Sequence, residues 1–194
     1  MLALERFYPI WTATKWEWTT FEEYLCRLEK DKFSTNFGSY VGHLSIRTAV
    51  MGFDDRPATA EETEKMKRLV AEAMESGAVG LSSALSYTRA ETKELIELCK
   101  VVAKYGRHYA EHQRGFREKV VDATKETIEI AEKARIPVII SHHLPPSEKR
   151  VEDFKLIDAA RERGVEVTFD HWFSRFGGAV GLLAYLPRSV WGPN

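Results

Sequence analysis

Two histidines each close a short apolar run, and together they could hold a metal ion. His112 ends RHYAEH and His142 ends PVIISH, thirty residues later. Neutral imidazole is a common zinc ligand, and a catalytic zinc ion takes about three protein ligands and keeps one position open. The pair therefore predicts a shared metal position. The alternative is an ordinary structural histidine at the end of each run, and two histidines alone do not complete a zinc site.

The elements that would position these histidines alternate between strand and helix patterns. Short apolar runs start at residues 78, 107, 137 and 165, at separations of 29, 30 and 28 residues. This is the length of a βα unit in a parallel sheet. Apolar residues at helical spacing predict helices between these runs, the first opened by a Thr59–Glu62 capping box and ended at Gly77. A further helix over 19–31 and a strand over 36–43 bring the total to about five strands, with an insertion over 44–56.

Parallel strands bring their carboxyl ends to one edge of a sheet, where binding and catalytic residues collect. The predicted strand ends carry His43, Ser82, Ser83, His112, His142 and Asp170. Side chains alternate along a strand, so His143 is expected to point away from His142 or to leave the strand. Asp170 could bind the metal or orient a ligand, or it could simply begin a loop. We expect His108 to lie too far down its strand to join the site, and His171 to be structural.

Two architectures fit five such units, namely a doubly wound open sheet and part of a (β/α)8 barrel. No glycine-rich phosphate loop follows any predicted strand, which weakens the dinucleotide-binding form of the open sheet. A complete barrel takes about 250 residues. With 194 residues, the chain is therefore predicted to be a single α/β domain over residues 1–194 that forms an incomplete barrel.

Composition excludes several classes of function. A net charge of −1 gives no basis for binding nucleic acid or an anionic membrane. The apolar runs are too short to span a membrane, and the opening MLALERFYPIW does not have the pattern of a signal peptide. Cys26 and Cys99 lie in helix-like stretches and form no CxxC motif, so both are expected to be buried free thiols. These features predict a cytoplasmic protein.

Several stretches, in their order along the chain, resemble the N-acyl-D-amino-acid deacylases (D-aminoacylases) of the amidohydrolase superfamily. The resemblance extends from about residue 16 to residue 191 and is carried by VGHLSIRTAVMGFDDRPATAEE, GAVGLSSALSY, KYGRHYAEHQR and PVIISHH. It implies a metal-dependent (β/α)8 hydrolase of which this chain forms the middle part. The cofactor it implies is zinc, and the substrate is an N-acyl-D-amino acid.

The same resemblance assigns roles to five residues. His112 and His142 are similar to the zinc-ligand histidines at the ends of the fifth and sixth barrel strands. Arg114, in an H-x-R pattern, Tyr87 and His43 are similar to family residues on the substrate side of the site. The family's general base is an aspartate on the eighth strand, beyond the similarity seen in this chain.

The chain also departs from the family pattern. It contains no H-x-H pair and lacks the family's metal-bridging cysteine. Leu144 stands where the family has a lysine, and Asp170 to Ser174 read DHWFS where the family has D-x-Y-P-Y. The isolated chain is therefore expected to have little or no deacylase activity.

Two other hypotheses remain open at this point. The chain could be a non-catalytic, degenerate barrel segment that serves as an interaction or assembly module, with self-association through the open edges of its sheet. It could also be part of a related metal hydrolase that acts on another amide or ester. Metal binding separates the first of these from the deacylase hypothesis, and substrate assays separate the second.

Overall fold

The structure of the protein is a computed structural model that describes residues 17–31 and 34–171. The opening of the chain and the DHWFS positions Trp172, Phe173 and Ser174 lie outside these ranges. The helices are α1 Phe21–Asp31, α2 His43–Met51, α3 Ala60–Glu75, α4 Thr92–Lys104, α5 Val120–Ala134 and α6 Ser147–Glu162. The strands are β1 Val41–Gly42, β2 Gly80–Ala84, β3 His108–His112, β4 Val138–Ile140 and β5 Val167–Phe169. Short 3-10 turns cover Leu85–Tyr87 and Arg117–Lys119.

The five strands form one sheet, in the order β1-β2-β3-β4-β5, and every neighbouring pair is parallel. The prediction of an α/β fold with about five parallel strands is confirmed. Strands that are consecutive in sequence are also neighbours in space, so the order never reverses. A doubly wound sheet has such a reversal, whereas a (β/α)8 barrel does not. The strand order therefore favours the barrel.

The two faces of the sheet differ in composition and burial. The helices lie in one layer in which consecutive helices from α2 to α6 pack side by side. The face toward them carries a buried apolar row in register, formed by Leu81, Tyr109, Val138 and Val167. The opposite face carries a row of mixed polarity, formed by Ser82, Ala110, Ile139 and Thr168. Apart from Ala110, these residues are partly or fully exposed. In a complete barrel this second face would line the interior.

Local signals in the sequence account for several helix boundaries. The predicted capping box at the start of α3 is confirmed, because the Thr59 side chain accepts a hydrogen bond from the Glu62 amide and the Glu62 carboxylate accepts one from the Thr59 amide. The residues Gly77, Gly106 and Gly164 follow α3, α4 and α6, each with positive φ. Glycine adopts this conformation without steric cost, so these helices stop where the sequence predicted. None of the helices in the described ranges is both long and apolar enough to cross a membrane.

The first third of the chain differs from the sequence predictions in two ways. Residues 44–56 were predicted as an insertion with no element assigned, and most of this segment belongs to helix α2, His43–Met51. Its inward side carries His43, Ile46 and Arg47, so two buried polar residues hide the apolar stripe by which a helix is recognised. Cys26 is exposed on α1, contrary to the expected burial, whereas Cys99 is buried on α4 as expected. Both cysteines are free thiols.

Candidate metal and substrate site

The structure brings the two histidines singled out in the sequence into direct contact. His112 is the last residue of β3, and His142 follows β4, the neighbouring strand. The Nδ1 atom of His112 lies 2.7 Å from the Nε2 atom of His142, a hydrogen-bond distance between the two imidazoles. The rings meet edge to face with centroids 4.6 Å apart. Convergence of the two strand ends, which the sequence predicted, is therefore present in the fold.

Polar and aromatic groups surround His112 on its remaining sides. Its Nε2 atom lies 2.9 Å from the hydroxyl of Ser86, in the turn that follows β2. The ring of Tyr87 stacks on the imidazole at 5.4 Å, and the ring of Phe116 approaches it edge to face at 4.9 Å. Burial, and secondly the proximity of His142, lower the pKa of His112. Both effects favour the neutral imidazole, which is the form that binds a metal.

The backbone at His142 holds an uncommon conformation that aims its ring at His112. His142 has a φ of 43°, in the left-handed region. Its amide donates a hydrogen bond to the Oδ1 atom of Asp170 at 2.6 Å, and the Asp170 carbonyl accepts one from the His143 amide at 2.8 Å. Asp170 thus fixes the main chain on which His142 stands.

His143 lies beyond the end of β4 and contacts the helix layer, so it has left the strand, which is one of the two outcomes expected from the sequence. It is buried, and its Nε2 atom lies 2.6 Å from a carboxylate oxygen of Asp153 on α6. The other two histidines near these strands also have partners away from the pair. His108, at the opposite end of β3 from His112, contacts the hydroxyl of Tyr40, and His171 contacts the carbonyl of His143. The expectation that His108 lies outside the site therefore agrees with its position.

Arg114 is engaged by an acidic partner on α5. Its guanidinium contacts both carboxylate oxygens of Glu126 at 2.9 Å and donates to the carbonyl of Ala90 at 2.7 Å. The hydrogen bond to Glu126 raises the pKa of Arg114 despite partial burial. About a third of the side chain stays exposed, in an open depression that it shares with Arg89 and Lys93.

Tyr87 and His43 occupy contrasting environments. Tyr87 is 71% exposed and touches His112 directly, so it borders the histidine pair. The structure does not bring His43 to the pair, because its side chain is fully buried and its Nε2 atom lies 2.7 Å from Glu94 on α4. Arg47 contacts the second oxygen of the same carboxylate at 2.6 Å. Burial acts to raise the pKa of Glu94, but the hydrogen bonds from His43 and Arg47 outweigh it and lower the pKa.

The sequence did not single out two residues that touch His112 and one buried residue that precedes it. Ser86 and Phe116 both touch His112, but each lies in a turn or loop whose path the periodicity of the chain does not reveal. Glu111 precedes His112 and points to the helix layer, where its side chain is fully buried. Neither of its carboxylate oxygens has a hydrogen-bond partner among the described residues. Burial raises the pKa of Glu111 to about 8.

The histidine pair can supply two ligands to a metal ion. Zinc binds imidazole nitrogen at about 2.0–2.1 Å in tetrahedral geometry, which places two such nitrogens about 3.3 Å apart. The 2.7 Å between the His112 and His142 nitrogens is about half an ångström shorter, so a small rotation of either ring accommodates the ion. No group of three or more His, Cys, Asp or Glu side chains within residues 17–31 and 34–171 could hold a metal. The described residues therefore fit part of a zinc site.

Comparison with known proteins places this arrangement in context. The chain is 39% identical over 150 residues to a D-aminoacylase of Alcaligenes xylosoxydans xylosoxydans, a match that covers 74% of this chain and 31% of the relative. The crystal structure of a D-aminoacylase, described as defining a novel subset of amidohydrolases, superposes with a TM-score of 0.74 at 35% identity and covers 79% of this chain and 34% of that one. No protein-family model matches the chain.

The chain is also similar in structure to a metal-bound enzyme. The crystal structure of N-acyl-D-glutamate deacylase from Bordetella bronchiseptica contains zinc and a phosphonate inhibitor that mimics the tetrahedral intermediate of the reaction. It superposes with a TM-score of 0.75 at 29% identity, over 79% of this chain and 34% of that one. The chain thus spans about a third of the length of the relatives it matches.

The sheet and the matches to solved structures define a part of an amidohydrolase-type (β/α)8 barrel. Within that class, the chain is a relative of the D-aminoacylases and N-acyl-D-amino-acid deacylases and resembles a segment of their barrel.

Proposed function

We propose that the chain is a segment of a zinc-dependent amidohydrolase that removes the acyl group from N-acyl-D-amino acids, and that His112 and His142 are two of its metal ligands. The observation that supports this proposal most directly is the 2.7 Å contact between their nitrogens at adjacent strand ends. When bound, a zinc ion supplies Lewis-acid activation of the amide carbonyl and of a water molecule.

The residues around the pair take different parts in this proposal. Tyr87, exposed and in contact with His112, borders the position where substrate would lie, and Phe116 adds a second aromatic wall. Arg114 is a candidate for binding the substrate carboxylate through its exposed third, while Glu126 holds its guanidinium in place. His43, which the family resemblance places on the substrate side, would act from within the fold through Glu94.

The proposal includes inactivity of the chain on its own. A catalytic zinc site has about three protein ligands, and the two histidines supply only two of them. A general base is also needed, and the carboxylate of Asp170 is already engaged by the amide of His142. The remaining ligand and the base would come from parts of the barrel outside this chain. Residues 1–194 would then form one incomplete catalytic domain.

Metal analysis tests the proposal. The purified chain, dialysed against zinc and then buffer, is expected to retain the metal, and both His112→Ala and His142→Ala to lose most of it. His108→Ala is the matched control, because His108 lies on the same strand as His112 but at its other end. Equal zinc content in all four proteins, or none in the parent, contradicts the metal-ligand assignment. Assays of the complete barrel on N-acyl-D-amino acids and on cyclic amides then separate the deacylase from a related hydrolase.

A second candidate function is that of an interaction or assembly module. Its support is that β1 and β5 are the outer strands of the described sheet and that one face of the sheet is partly exposed. Outer strands present unpaired backbone groups that can pair with another chain. Light scattering tests it: concentration-dependent dimers that persist after His112→Ala favour assembly, and a monomer at all concentrations contradicts it.

A further inference from the structure

A chain of buried hydrogen bonds runs behind the sheet, on the side away from the histidine pair. The Nε2 atom of His143 lies 2.6 Å from Oδ2 of Asp153, and the hydroxyl of Thr124 lies 2.7 Å from Oδ1 of the same carboxylate. The side-chain amide of Gln113 donates to the Thr124 hydroxyl at 3.1 Å and approaches Thr127 at 3.3 Å. All five side chains are at most 2% exposed. This hydrogen-bond chain crosses from α6 through α5 to the end of β3.

Each donor along this hydrogen-bond chain faces an acceptor. A carboxylate only accepts, so His143 Nε2 and the Thr124 hydroxyl each donate to Asp153, and the Thr124 oxygen then accepts from Gln113. The contact to Asp153 is the one side-chain hydrogen bond of His143 among the described residues, because its Nδ1 atom has no partner there. Removing one member leaves a buried polar group unpaired, which is costly in a low-dielectric interior.

The two ends of this hydrogen-bond chain lie beside the two candidate metal ligands. Gln113 directly follows His112, and His143 directly follows His142. Consecutive residues of an extended segment point to opposite faces, so a fixed Gln113 also fixes the backbone that carries His112. His143 is bonded directly to His142, so a fixed His143 likewise holds the backbone at His142, where φ is 43°. Asp170 differs from this device, because its hydrogen bonds to the backbone of His142 and His143 act at one of the two strand ends.

We propose that Thr124 and Asp153 are positioning residues that set the separation of the His112 and His142 imidazoles by joining the two strand ends from behind. Neither touches the histidines of the pair. The metal-binding consequence of this proposal rests on the proposed function, whereas the geometric part concerns the metal-free protein. A merely structural role would instead stabilise the packing of α5 and α6 and leave the pair unchanged.

Thr124→Val and Thr124→Ser form the first test. Valine keeps the shape of threonine but removes the hydroxyl that links Asp153 to Gln113, whereas serine keeps the hydroxyl. Zinc affinity, measured by competition with a chromophoric chelator, is expected to fall about 10-fold or more in Thr124→Val, the usual range for a group that orients a ligand from behind. It is expected to stay within about threefold of the parent in Thr124→Ser. Equal affinity in the parent and in Thr124→Val overturns the proposal.

A metal-free measurement separates failure of this inference from failure of the proposed function. The hydrogen bond between His112 Nδ1 and His142 Nε2 gives a cross-bond coupling in the nitrogen NMR of the imidazoles. The proposal requires this coupling in the parent and in Thr124→Ser, and its loss in Thr124→Val. If the parent binds no zinc, the proposed function fails while the coupling still decides the positioning role. Retention of the coupling in Thr124→Val overturns the role.

Two further variants guard against an effect of stability alone. Ile157→Val removes a buried methyl group from α6, the helix of Asp153, and leaves the polar chain intact. It is expected to lower the unfolding temperature without changing zinc affinity or the coupling. If Ile157→Val loses as much zinc affinity as Thr124→Val, or loses the coupling as Thr124→Val does, the proposal is overturned. If Thr124→Val does not fold, Thr124→Ala carries the test, since alanine also removes the hydroxyl that links Asp153 to Gln113 and is smaller than threonine. Parent behaviour in Thr124→Ala then overturns the proposal.

Discussion

Gly80 on β2 lies against the carbonyl of His108 on β3 so closely that a Cβ atom on the glycine would be 2.2 Å from the carbonyl oxygen. The obstacle is backbone in the middle of the sheet, so it cannot rotate away. Gly80→Ala is therefore expected to force β2 and β3 apart and to lower the free energy of unfolding by about 3 kcal/mol. Urea denaturation measures the change. Ser82→Ala, two residues along the same strand and partly exposed, is the control and is expected to change it by about 0.5 kcal/mol or less. Equal midpoints for Gly80→Ala and the parent contradict the close approach.

The buried carboxylate of Glu94 is expected to be among the most sensitive positions of the helix layer. It joins His43 and Arg47 of α2 to α4, and Glu94→Gln leaves the buried guanidinium of Arg47 without its charged partner. Loss of one member of a buried ion pair typically costs about 3–5 kcal/mol. Glu97→Gln, one turn further along α4 and 41% exposed, is the control, with an expected effect of about 0.5 kcal/mol. Similar effects of the two variants would show that the buried network contributes little.

The lowered pKa of Glu94 also makes the free energy of unfolding depend on pH. Because the pKa of Glu94 is lowered in the folded protein from its usual value of 4.5, the unfolded chain binds its proton more readily at acidic pH. Its contribution to stability is complete above pH 4.5 and is lost as the pH falls through the folded pKa. Unfolding free energies between pH 6 and pH 3 should therefore drop more steeply in the parent than in Glu94→Gln. Parallel curves for the two proteins are the contrary result.

Glu111 is expected to make the free energy of unfolding depend on pH in the opposite direction to Glu94. Its pKa of about 8 means that the folded protein keeps a proton that the unfolded chain has released above pH 4.5. Stability from this group is complete below pH 4.5 and is lost as the pH rises to about 8. Glu111→Gln should remove this loss and stabilise the protein at pH 8 by about 2–4 kcal/mol.

Urea denaturation from pH 5 to pH 8 in the presence of a chelator measures the effect of Glu111→Gln without a contribution from bound metal. Glu118→Gln changes an exposed carboxylate a few residues beyond β3 and should retain the slope of the parent. A parent whose stability does not fall with rising pH contradicts the burial of an unpaired Glu111 carboxylate.

Zinc is expected to stabilise the folded chain through the proposed ligands. A ligand that binds only the folded state at 100 times its dissociation constant adds about 2.7 kcal/mol to the free energy of unfolding. Thermal denaturation with and without zinc should show this gain in the parent and in His108→Ala, and its loss in His142→Ala. The gain should also disappear when a chelator is added. A zinc-induced shift that survives His142→Ala would place the metal elsewhere.

Periodic features of the sequence predicted most of the fold. Strand spacing near thirty residues, the Thr59–Glu62 capping box and the glycines after the helices are local signals, and the structure has the elements they indicate. The sequence also predicted that His112 and His142 lie close together, because neighbouring parallel strands end at the same edge of a sheet. Helix α2 was not predicted, since the inward residues His43 and Arg47 are polar types that usually face solvent.

The partners of the functional candidates could not be predicted in the same way. Glu126 holds Arg114 and Glu94 holds His43 from neighbouring helices, and nothing local in the sequence marks a glutamate as the partner of a particular cation. The same limit applies to Asp153, which sits among other charged residues of α6 and differs from them only by facing inward. Burial of a charged side chain depends on how helices pack, and that is a property of the assembled layers.

The strand order, in which each strand contacts only its neighbours in sequence, also has a consequence for how the protein folds. Every pairing in the sheet joins segments within roughly one βα unit of each other, so forming one pairing does not require distant parts of the chain to meet first. Structure can begin in one unit and spread to the next, as in repeat proteins, where stability is a sum over adjacent units. The central β3, which is the strand furthest from both outer strands, should then be the last to lose its protection against hydrogen exchange.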